Sequence, residues 1–436
     1  MNQLDKLKNL ISNNEICLGI IGLGYVGLPL AVLMAKSNIK TVGFEKSNAK
    51  VKKVNEANNY IEDVDDQELV NAVKAQKLMA TADFSQLKQC DVIVICVPTP
   101  LDQFKKPDMS FIEAACIDIG KHMSSGTLIS LESTTYPTTT EDFLLPIIES
   151  NSKKKHGEDF WLCYSPERVD PGNKLFKTEN TPKVLGGLGD DATELGVLFY
   201  QKAIQSIHKV SSPRVAEMVK ILENTYRLIN ISMINELALL AGKMDIDIWE
   251  VIEAAKTKPF GYQAFYPGPG IGGHCIPLDP FYLEHIAKKY QFNLTMINTA
   301  GHIDMLMPHR MTIKINSALN SVKKAINGSK ILFLGVAYKP DISDERESPA
   351  LKIMEEVLAK GGIISYHDPN ITQVKLSSGN TFTSVPLKAG VLEATDLVVY
   401  ITKHSGFDNK FILEKSSLIV DLRNNILSPS RKVYKL

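Results

Sequence analysis

Residues 16–31 read ICLGIIGLGYVGLPLA, and the parse of this stretch decides the fold. From Ile16 to Ala35 no residue carries a charge, a run long enough to suggest a membrane span. Gly19, Gly22, Gly24, Gly27 and Pro29 interrupt it, so it cannot run as one smooth helix. Nor does it read as a signal peptide: the preceding segment is amphipathic with mixed charge, and no small-residue cleavage site stands out. What remains is strand, glycine-rich turn, helix. Gly22 then makes the tight turn, Gly24 lets backbone approach a phosphate, and Gly27 lets the helix pack on the strand.

Outward from this unit, short apolar runs alternate with helical periods, the pattern of a parallel sheet with crossover helices. The runs are TVGF at 41–44, DVIVICVP at 91–98, GTLISLES at 126–133 and DFWLCYSP at 159–166. Near-continuous apolar strands suit a sheet covered on both faces. From Ser212 to Gly242 about thirty residues keep helical periodicity, with Ser212 to cap them and Pro213 at the first helical position. Val215, Met218, Val219, Leu222 and Tyr226 mark one apolar face of that helix. Alternation resumes with KILFLGVAY at 330–338, GIISYHDP at 362–369, DLVVYITKH at 396–404 and SLIVDLRN at 417–424. The expected fold is α/β: two Rossmann-like, doubly wound parallel-sheet domains joined by a long central helix. The expected boundaries are 1–210, 211–325 and 326–436.

Composition agrees. A chain of 436 residues suits two or three domains at ~150 residues each. Hydrophobic residues at 44% and charged residues at 22% supply an ordinary globular core. Lys+Arg and Asp+Glu number 49 each, which argues against a nucleic-acid binder yet leaves room for local cationic pockets. The cysteines, at 17, 90, 96, 116, 163 and 275, form no CxxC pair, so neither a disulfide scaffold nor a cysteine-ligated metal is expected. A reduced, cytoplasmic protein without a membrane segment is the expectation.

Three places could carry chemistry. The glycine turn is followed, eighteen residues after Gly27, by Glu45 at the end of the next strand. A carboxylate there can accept bonds from both ribose hydroxyls and repel a 2′-phosphate, so the cofactor expected is NAD. Thr99, Ser133 and Thr134 follow later strands, where hydroxyls can reach a cofactor or cap the next helix. The second place is the loop from Tyr266 to Pro280, with glycines at 268, 270, 272 and 273 and prolines at 267, 269, 277 and 280. Its glycines allow close approach of backbone N–H groups to a sugar or phosphate. Cys275 emerges from it, with Asp279 four residues on; a thiolate is a strong nucleophile, although most lone cysteines are small buried hydrophobes. The third is a polar stripe on the long helix, Glu217, Lys220, Asn224 and Arg227. Taken alone, it reads most simply as a solvated face with a Glu217–Lys220 pair.

The motifs in order are GxGxxG, SPE at 165–167, AEMVKILENT at 216–225, PGPGIGGHCIPLD at 267–279 and GVAYKPDISDERESP at 335–349. From about residue 16 to 425 the chain resembles the nucleotide-sugar 6-dehydrogenases, which include the UDP-glucose and GDP-mannose dehydrogenases. Within them, PFGYQAFYPGPGIGGHCIPLDPFYL is most similar to the bacterial UDP-N-acetylglucosamine branch of O-antigen and capsule synthesis. The resemblance implies oxidation of a sugar C6 alcohol to a carboxylate with two NAD⁺ in turn, in a cleft between the domains. It makes Cys275 the nucleophile, forming a thiohemiacetal and then a thioester. Lys220 stabilises the oxyanion with Asn224 as its companion, and Asp279 serves base chemistry or water activation. Thr134 helps hold water, and Glu167 lies near the reacting sugar. The implied cofactor contacts are Gly22, Gly24, Val26, Gly27, Glu45, Thr99, Ser133, Thr134 and Arg346. The implied substrate contacts are Glu167, Lys220, Asn224, Tyr266, Gly268, Gly270, Gly272 and Lys339.

The sequence departs from the UDP-glucose branch in three respects. Pro171 stands where those relatives carry a further glutamate, Leu278 stands where many have Lys, and no arginine precedes the PGPG loop. The expected activity is therefore four-electron oxidation of UDP-N-acetyl-D-glucosamine. The alternatives are UDP-glucose, UDP-N-acetylgalactosamine or UDP-N-acetylmannosamine, a two-electron dehydrogenase, or a non-catalytic nucleotide-sugar binder. The expected partners are the UDP-sugar and a second copy of the chain, with the long helix at the core of a homodimer or higher homo-oligomer. No metal, nucleic acid or membrane partner is expected.

Overall fold

The computed structural model describes residues 2–102, 106–170, 172–173, 175–273 and 275–436. It divides into two compact units, Met1–Glu223 with Phe281–Phe292, and Asn224–Pro280 with Asn293–Leu436.

The first unit is built on eight strands. They are β1 (Cys17–Ile21), β2 (Lys40–Phe44), β3 (Leu78–Thr81), β4 (Val92–Ile95), β5 (Thr127–Leu131), β6 (Phe160–Tyr164), β7 (Lys183–Gly187) and β8 (Ile207–Lys209). Their order is β3-β2-β1-β4-β5-β6-β7-β8, parallel except for the β6–β7 pair. The order reverses beside β1, which pairs with β2 through Cys17↔Lys40 and with β4 through Leu18↔Val92. Ligands of open parallel sheets bind beyond the strand ends at such a reversal. The apolar runs are continuous because both faces are covered. Leu18 and Ile20 of β1 join Val92 and Val94 of β4 in one core cluster, while Cys17, Ile21, Ile93 and Ile95 join the cluster on the other face. Each fully buried Leu or Ile contributes about 1.5–3 kcal/mol.

In the second unit the strands are β9 (Lys330–Leu334), β10 (Ile363–His367), β11 (Gln373–Lys375), β12 (Thr381–Thr383), β13 (Leu397–Tyr400), β14 (Ile419–Asp421) and β15 (Val433–Lys435). Five of them form a parallel sheet in the order β10-β9-β13-β14-β15, and β11 pairs with β12 as a hairpin. The same alternation holds: Ile331 and Phe333 enter one cluster, Leu332 and Leu334 another. Among the described residues no helix is long and apolar enough to cross a membrane.

The long helix runs Pro213–Lys243, with the Ser212 hydroxyl accepting from the Val215 amide at 3.4 Å. Its first third, to Glu223, lies in the first unit and the rest in the second. Ala216, Ile221 and Leu228 are buried, whereas Val215, Met218, Leu222 and Tyr226 of the expected apolar face stay exposed, Leu222 at 60%. The solvated Glu217–Lys220 pair is not formed. Glu217 is fully buried and accepts from the Thr138 amide at 2.7 Å and from the Thr140 amide and hydroxyl at 2.9 and 2.7 Å. Burial pushes its carboxyl up to about 7, against the downward pull of these donors.

Glu217 thereby holds the segment that leaves β5, and it holds it in a strained form. Thr138 sits at φ +85°, where a β-branched residue pays about 1–2 kcal/mol, and its buried hydroxyl has no hydrogen-bond partner among the described residues. Glycine keeps the amide that Glu217 needs and removes both costs, against a larger loss of chain entropy. Thr138→Gly is expected to stabilise the protein by about 1 kcal/mol, read as a rise of roughly 2 °C in apparent Tm. A fall in Tm would show that the Thr138 methyl packing outweighs the strain.

Candidate active site

At the end of β1 each glycine of GxGxxG has its own reason. Gly22 has φ +92°, and a Cβ on it would lie 2.6 Å from the Cys96 carbonyl oxygen of the neighbouring strand end. A Cβ on Gly27 would lie 1.9 Å from the Gly22 carbonyl oxygen, so helix Gly27–Lys36 can seat against the strand only with glycine there. A Cβ on Gly24 would meet nothing within 4 Å; the space beside its backbone is open. Val26 is the N-cap and no side chain caps the first turn. The Leu28 amide donates to the Gly24 carbonyl at 3.1 Å and Pro29 has no N–H, so what the helix start offers a phosphate is mainly the positive end of its dipole. Glu45, just past β2, is fixed by the Leu23 amide at 3.3 Å and the Ser47 amide at 3.0 Å. Its nearby cation is Lys50 at 3.7 Å, while the adjacent Lys46 is exposed. An open glycine, an uncapped helix start and a carboxylate at the next strand end fit a dinucleotide without a 2′-phosphate. At the rim, the Ser133 hydroxyl donates to the Val97 carbonyl at 2.8 Å and the Thr99 carbonyl accepts from Tyr282. Thr134 is half-buried beside them in sequence.

A second group lies in the same unit. Lys220 donates to the main-chain carbonyl of Glu167 at 2.6 Å, so it contacts the SPE segment through backbone. The Glu167 carboxylate turns inward: Oε1 accepts from the Arg168 and Val169 amides at 2.9 and 3.0 Å, and Lys183 lies 3.5 Å from Oε2. Burial pushes this carboxyl up, but Lys183, Lys220 and the two amides outweigh it and hold it below the ordinary carboxylate range. Lys183, absent from the sequence expectations, is a single charge in KVLGG with nothing in its spacing to mark it.

The second unit holds the glycine–proline loop. Cys275 is its exposed thiol; the other five cysteines are buried. The Cys275 carbonyl accepts from the Asp279 amide at 2.8 Å, which places the cysteine one turn before helix Asp279–Ala287. Asp279 is buried and accepts from the Asn224 side-chain amide at 2.6 Å, so the structure joins these two residues directly. Gly268 and Gly272 turn out to be packing glycines. A Cβ would lie 2.3 Å from the Arg423 guanidinium carbon at Gly268 and 2.5 Å from the Tyr338 Cβ at Gly272. The Gly268 amide donates to Asn235 Oδ1 at 2.9 Å. Gly270 has φ +130°. Tyr266 stacks on Trp249 with centroids 6.2 Å apart and donates its hydroxyl to Glu253 at 2.7 Å. Lys339 is half-buried, while Arg346 is exposed and holds Asp344 at 2.6 and 2.8 Å.

Arg423 is a further residue that sequence reading missed. With Trp249, Glu253, Tyr266, Pro267 and Asn424 it lines an open cavity of about 320 Å³. Burial pulls its guanidinium down to about 10, opposed by Asp304. Its signal was its place, two residues past the end of β14 in IVDLRNN. Pro171 and His274 lie outside the described residues.

Family models match nearly the whole chain in three pieces, described as the UDP-glucose/GDP-mannose dehydrogenase family. The NAD binding domain matches residues 16–204, the central domain 214–305 and the UDP binding domain 332–429. The UDP-N-acetyl-D-glucosamine 6-dehydrogenase of Pseudomonas aeruginosa is 32% identical, over 91% of this chain and 92% of that protein. The UDP-N-acetyl-D-mannosamine dehydrogenase of Pyrococcus horikoshii is also 32% identical, over 96% of both. A solved structure of a UDP-D-ManNAc dehydrogenase from Pyrococcus horikoshii matches with a TM-score of 0.88 at 30% identity, over 96% of this chain and 99% of that one. The glycine turn, the SPE segment and the cysteine loop thus belong to an NAD-dependent oxidoreductase, and the chain is a member of the UDP-glucose/GDP-mannose dehydrogenase family.

Proposed function

We propose that the chain oxidises C6 of UDP-N-acetyl-D-glucosamine to the carboxylate, giving UDP-N-acetyl-D-glucosaminuronic acid. The observation that carries the four-electron reading is the exposed Cys275 thiol, one turn before a buried Asp279 bonded to Asn224. NAD, when bound at the glycine turn, supplies the hydride acceptor for each oxidation. An aldehyde cannot lose a second hydride until a nucleophile has added to its carbonyl carbon. Cys275 adds: the C–S bond forms, the carbonyl oxygen takes up a proton, and the resulting thiohemiacetal can be oxidised to a thioester. Water then cleaves the C–S bond and restores the thiol. The Lys220 ammonium, aimed by the Glu167 carbonyl, stabilises the negative oxygen that develops at C6, with Asn224 beside it on the helix. Asp279, its orientation set by Asn224, activates the hydrolytic water, and Thr134 helps hold it. The glycine–proline loop with Tyr266 and Gly270, together with Lys339 and Arg423, holds the UDP-sugar. Arg346 reaches the cofactor. The exposed apolar face of helix Pro213–Lys243 serves a homodimer or larger homo-oligomer. The product supplies bacterial surface polysaccharide, O-antigen or capsule, from the cytoplasm.

A second reading, UDP-N-acetyl-D-mannosamine as substrate, is supported by the Pyrococcus horikoshii relative at the same identity. Initial rates on purified UDP-N-acetylglucosamine, UDP-N-acetylmannosamine, UDP-N-acetylgalactosamine and UDP-glucose separate the candidates. The first is expected to exceed the rest by about 10-fold or more in kcat/KM, a difference of ~1.4 kcal/mol. No turnover of it, with turnover of another, would sink the assignment. Cys275→Ser is expected to bind NAD normally and to lower steady-state NADH formation by at least ~10³-fold, stalling before the second oxidation. Full turnover by this variant would remove the thiol from the mechanism.

A further inference from the structure

The first unit gathers three charged side chains, two of them buried, at the ends of its central strands. Lys183 opens β7, is 5% exposed, and places Nζ 3.1 Å from Glu132 Oε2 and 3.5 Å from Glu167 Oε2. Glu132, directly after β5 and 1% exposed, accepts from the Tyr200 hydroxyl at 2.6 Å. That hydroxyl shares a 2.8 Å bond with Ser130, and the Lys183 ammonium lies 5.0 Å from the centroid of the Tyr200 ring. Buried ion clusters of this kind seldom stabilise a fold more than an apolar replacement would. Their geometry is where a reason can be found. The Glu167 carboxylate, held by Lys183 on one oxygen, accepts from the Arg168 and Val169 amides on the other and so closes the turn after β6. The carbonyl of the same residue takes the 2.6 Å bond from Lys220.

We propose that Lys183, bridging Glu132 and Glu167, is a positioning residue that clamps the Glu167 turn and thereby aims the Lys220 ammonium at the reacting oxygen. The inference rests on the dehydrogenase reading and on the place of Lys220 in it. The clamp works only while Glu167 is ionised. Burial pushes that carboxyl up, and Lys183 is the largest influence in the other direction, followed by Lys220. The other charged or titratable groups around it are Glu132, Cys96, and Arg168 with its partner Glu223 at 2.6 Å. Without Lys183 the upward push of burial is less opposed, so Glu167 takes up its proton at a higher pH. The acid limb of the kcat profile must then move to higher pH.

The test compares full-length wild type with Lys183→Met, Lys183→Arg and the double variant Glu132→Gln/Lys183→Met, each with saturating NAD. Wild-type turnover is the reference for every ratio, and its absence would overturn the dehydrogenase reading and this proposal with it. Lys183→Met is expected to lower kcat ~10- to 100-fold, the usual effect of misplacing a catalytic group by a fraction of an ångström to an ångström. Its KM for NAD should stay within about twofold, and its acid limb should move up by about one pH unit or more. Lys183→Arg, which keeps the charge, should regain most of the rate. The double variant removes one charge of each sign, so it should recover thermal stability without recovering kcat. A double variant with wild-type kcat and pH profile would make Lys183 merely the counter-ion of Glu132 and overturn the proposal. So would a folded Lys183→Met whose acid limb has not moved.

Discussion

A polar group on the inner side of a helix must find a partner, because burying it alone costs roughly 1–3 kcal/mol, and more for a charge. Helix Pro213–Lys243 carries three such groups at Glu217, Lys220 and Asn224, and each is met by a different segment. Glu217 takes the amides of Thr138 and Thr140, Lys220 takes the Glu167 carbonyl, and Asn224 takes the Asp279 carboxylate. These are the segments that carry Thr134, the SPE motif and Cys275. The spacing of three and four residues along one helix therefore serves the structure, whatever chemistry it also carries. Changing any of the three removes a partner from a loop.

The charge balance of the chain takes on a different meaning beside this site. Equal numbers of acidic and basic residues argue against nucleic acid, yet a dehydrogenase of this family handles two anionic ligands. It does so locally. An uncapped helix start follows Gly24, and the Arg423 guanidinium lines a cavity in the second unit. Neither needs a positive surface, and a partly desolvated cation acts more strongly than one in bulk water.

Much of this was legible in the sequence because the first-order signals are local. Strands such as β1 and β4 bury both faces, so their residues are apolar without interruption. GxGxxG encodes two close backbone approaches that tolerate no Cβ. What stayed hidden depends on contacts distant in sequence. β3 alternates buried and exposed positions, β7 opens on Lys183 and ends in two glycines, and β8 is three residues with two polar, so none reads as an apolar run. Glu217 has the spacing of a surface ion pair, and only the fold shows its partners to be backbone amides nearly eighty residues away. That Arg423 and Tyr338 pack where a Cβ on Gly268 or Gly272 would lie is likewise set by residues distant in sequence. Lys183 is one charge in an otherwise apolar strand and declares nothing until Glu132 and Glu167 are seen around it.

In the proposed reaction Cys275 turns a simple alcohol dehydrogenation into a four-electron oxidation that ends at the carboxylate. The most direct measurement is the amount of NADH formed when a limiting, known amount of UDP-N-acetyl-D-glucosamine is consumed completely in excess NAD. Two NADH per sugar, with the uronic acid as the sole product, is the predicted result. One NADH per sugar with aldehyde released would contradict it.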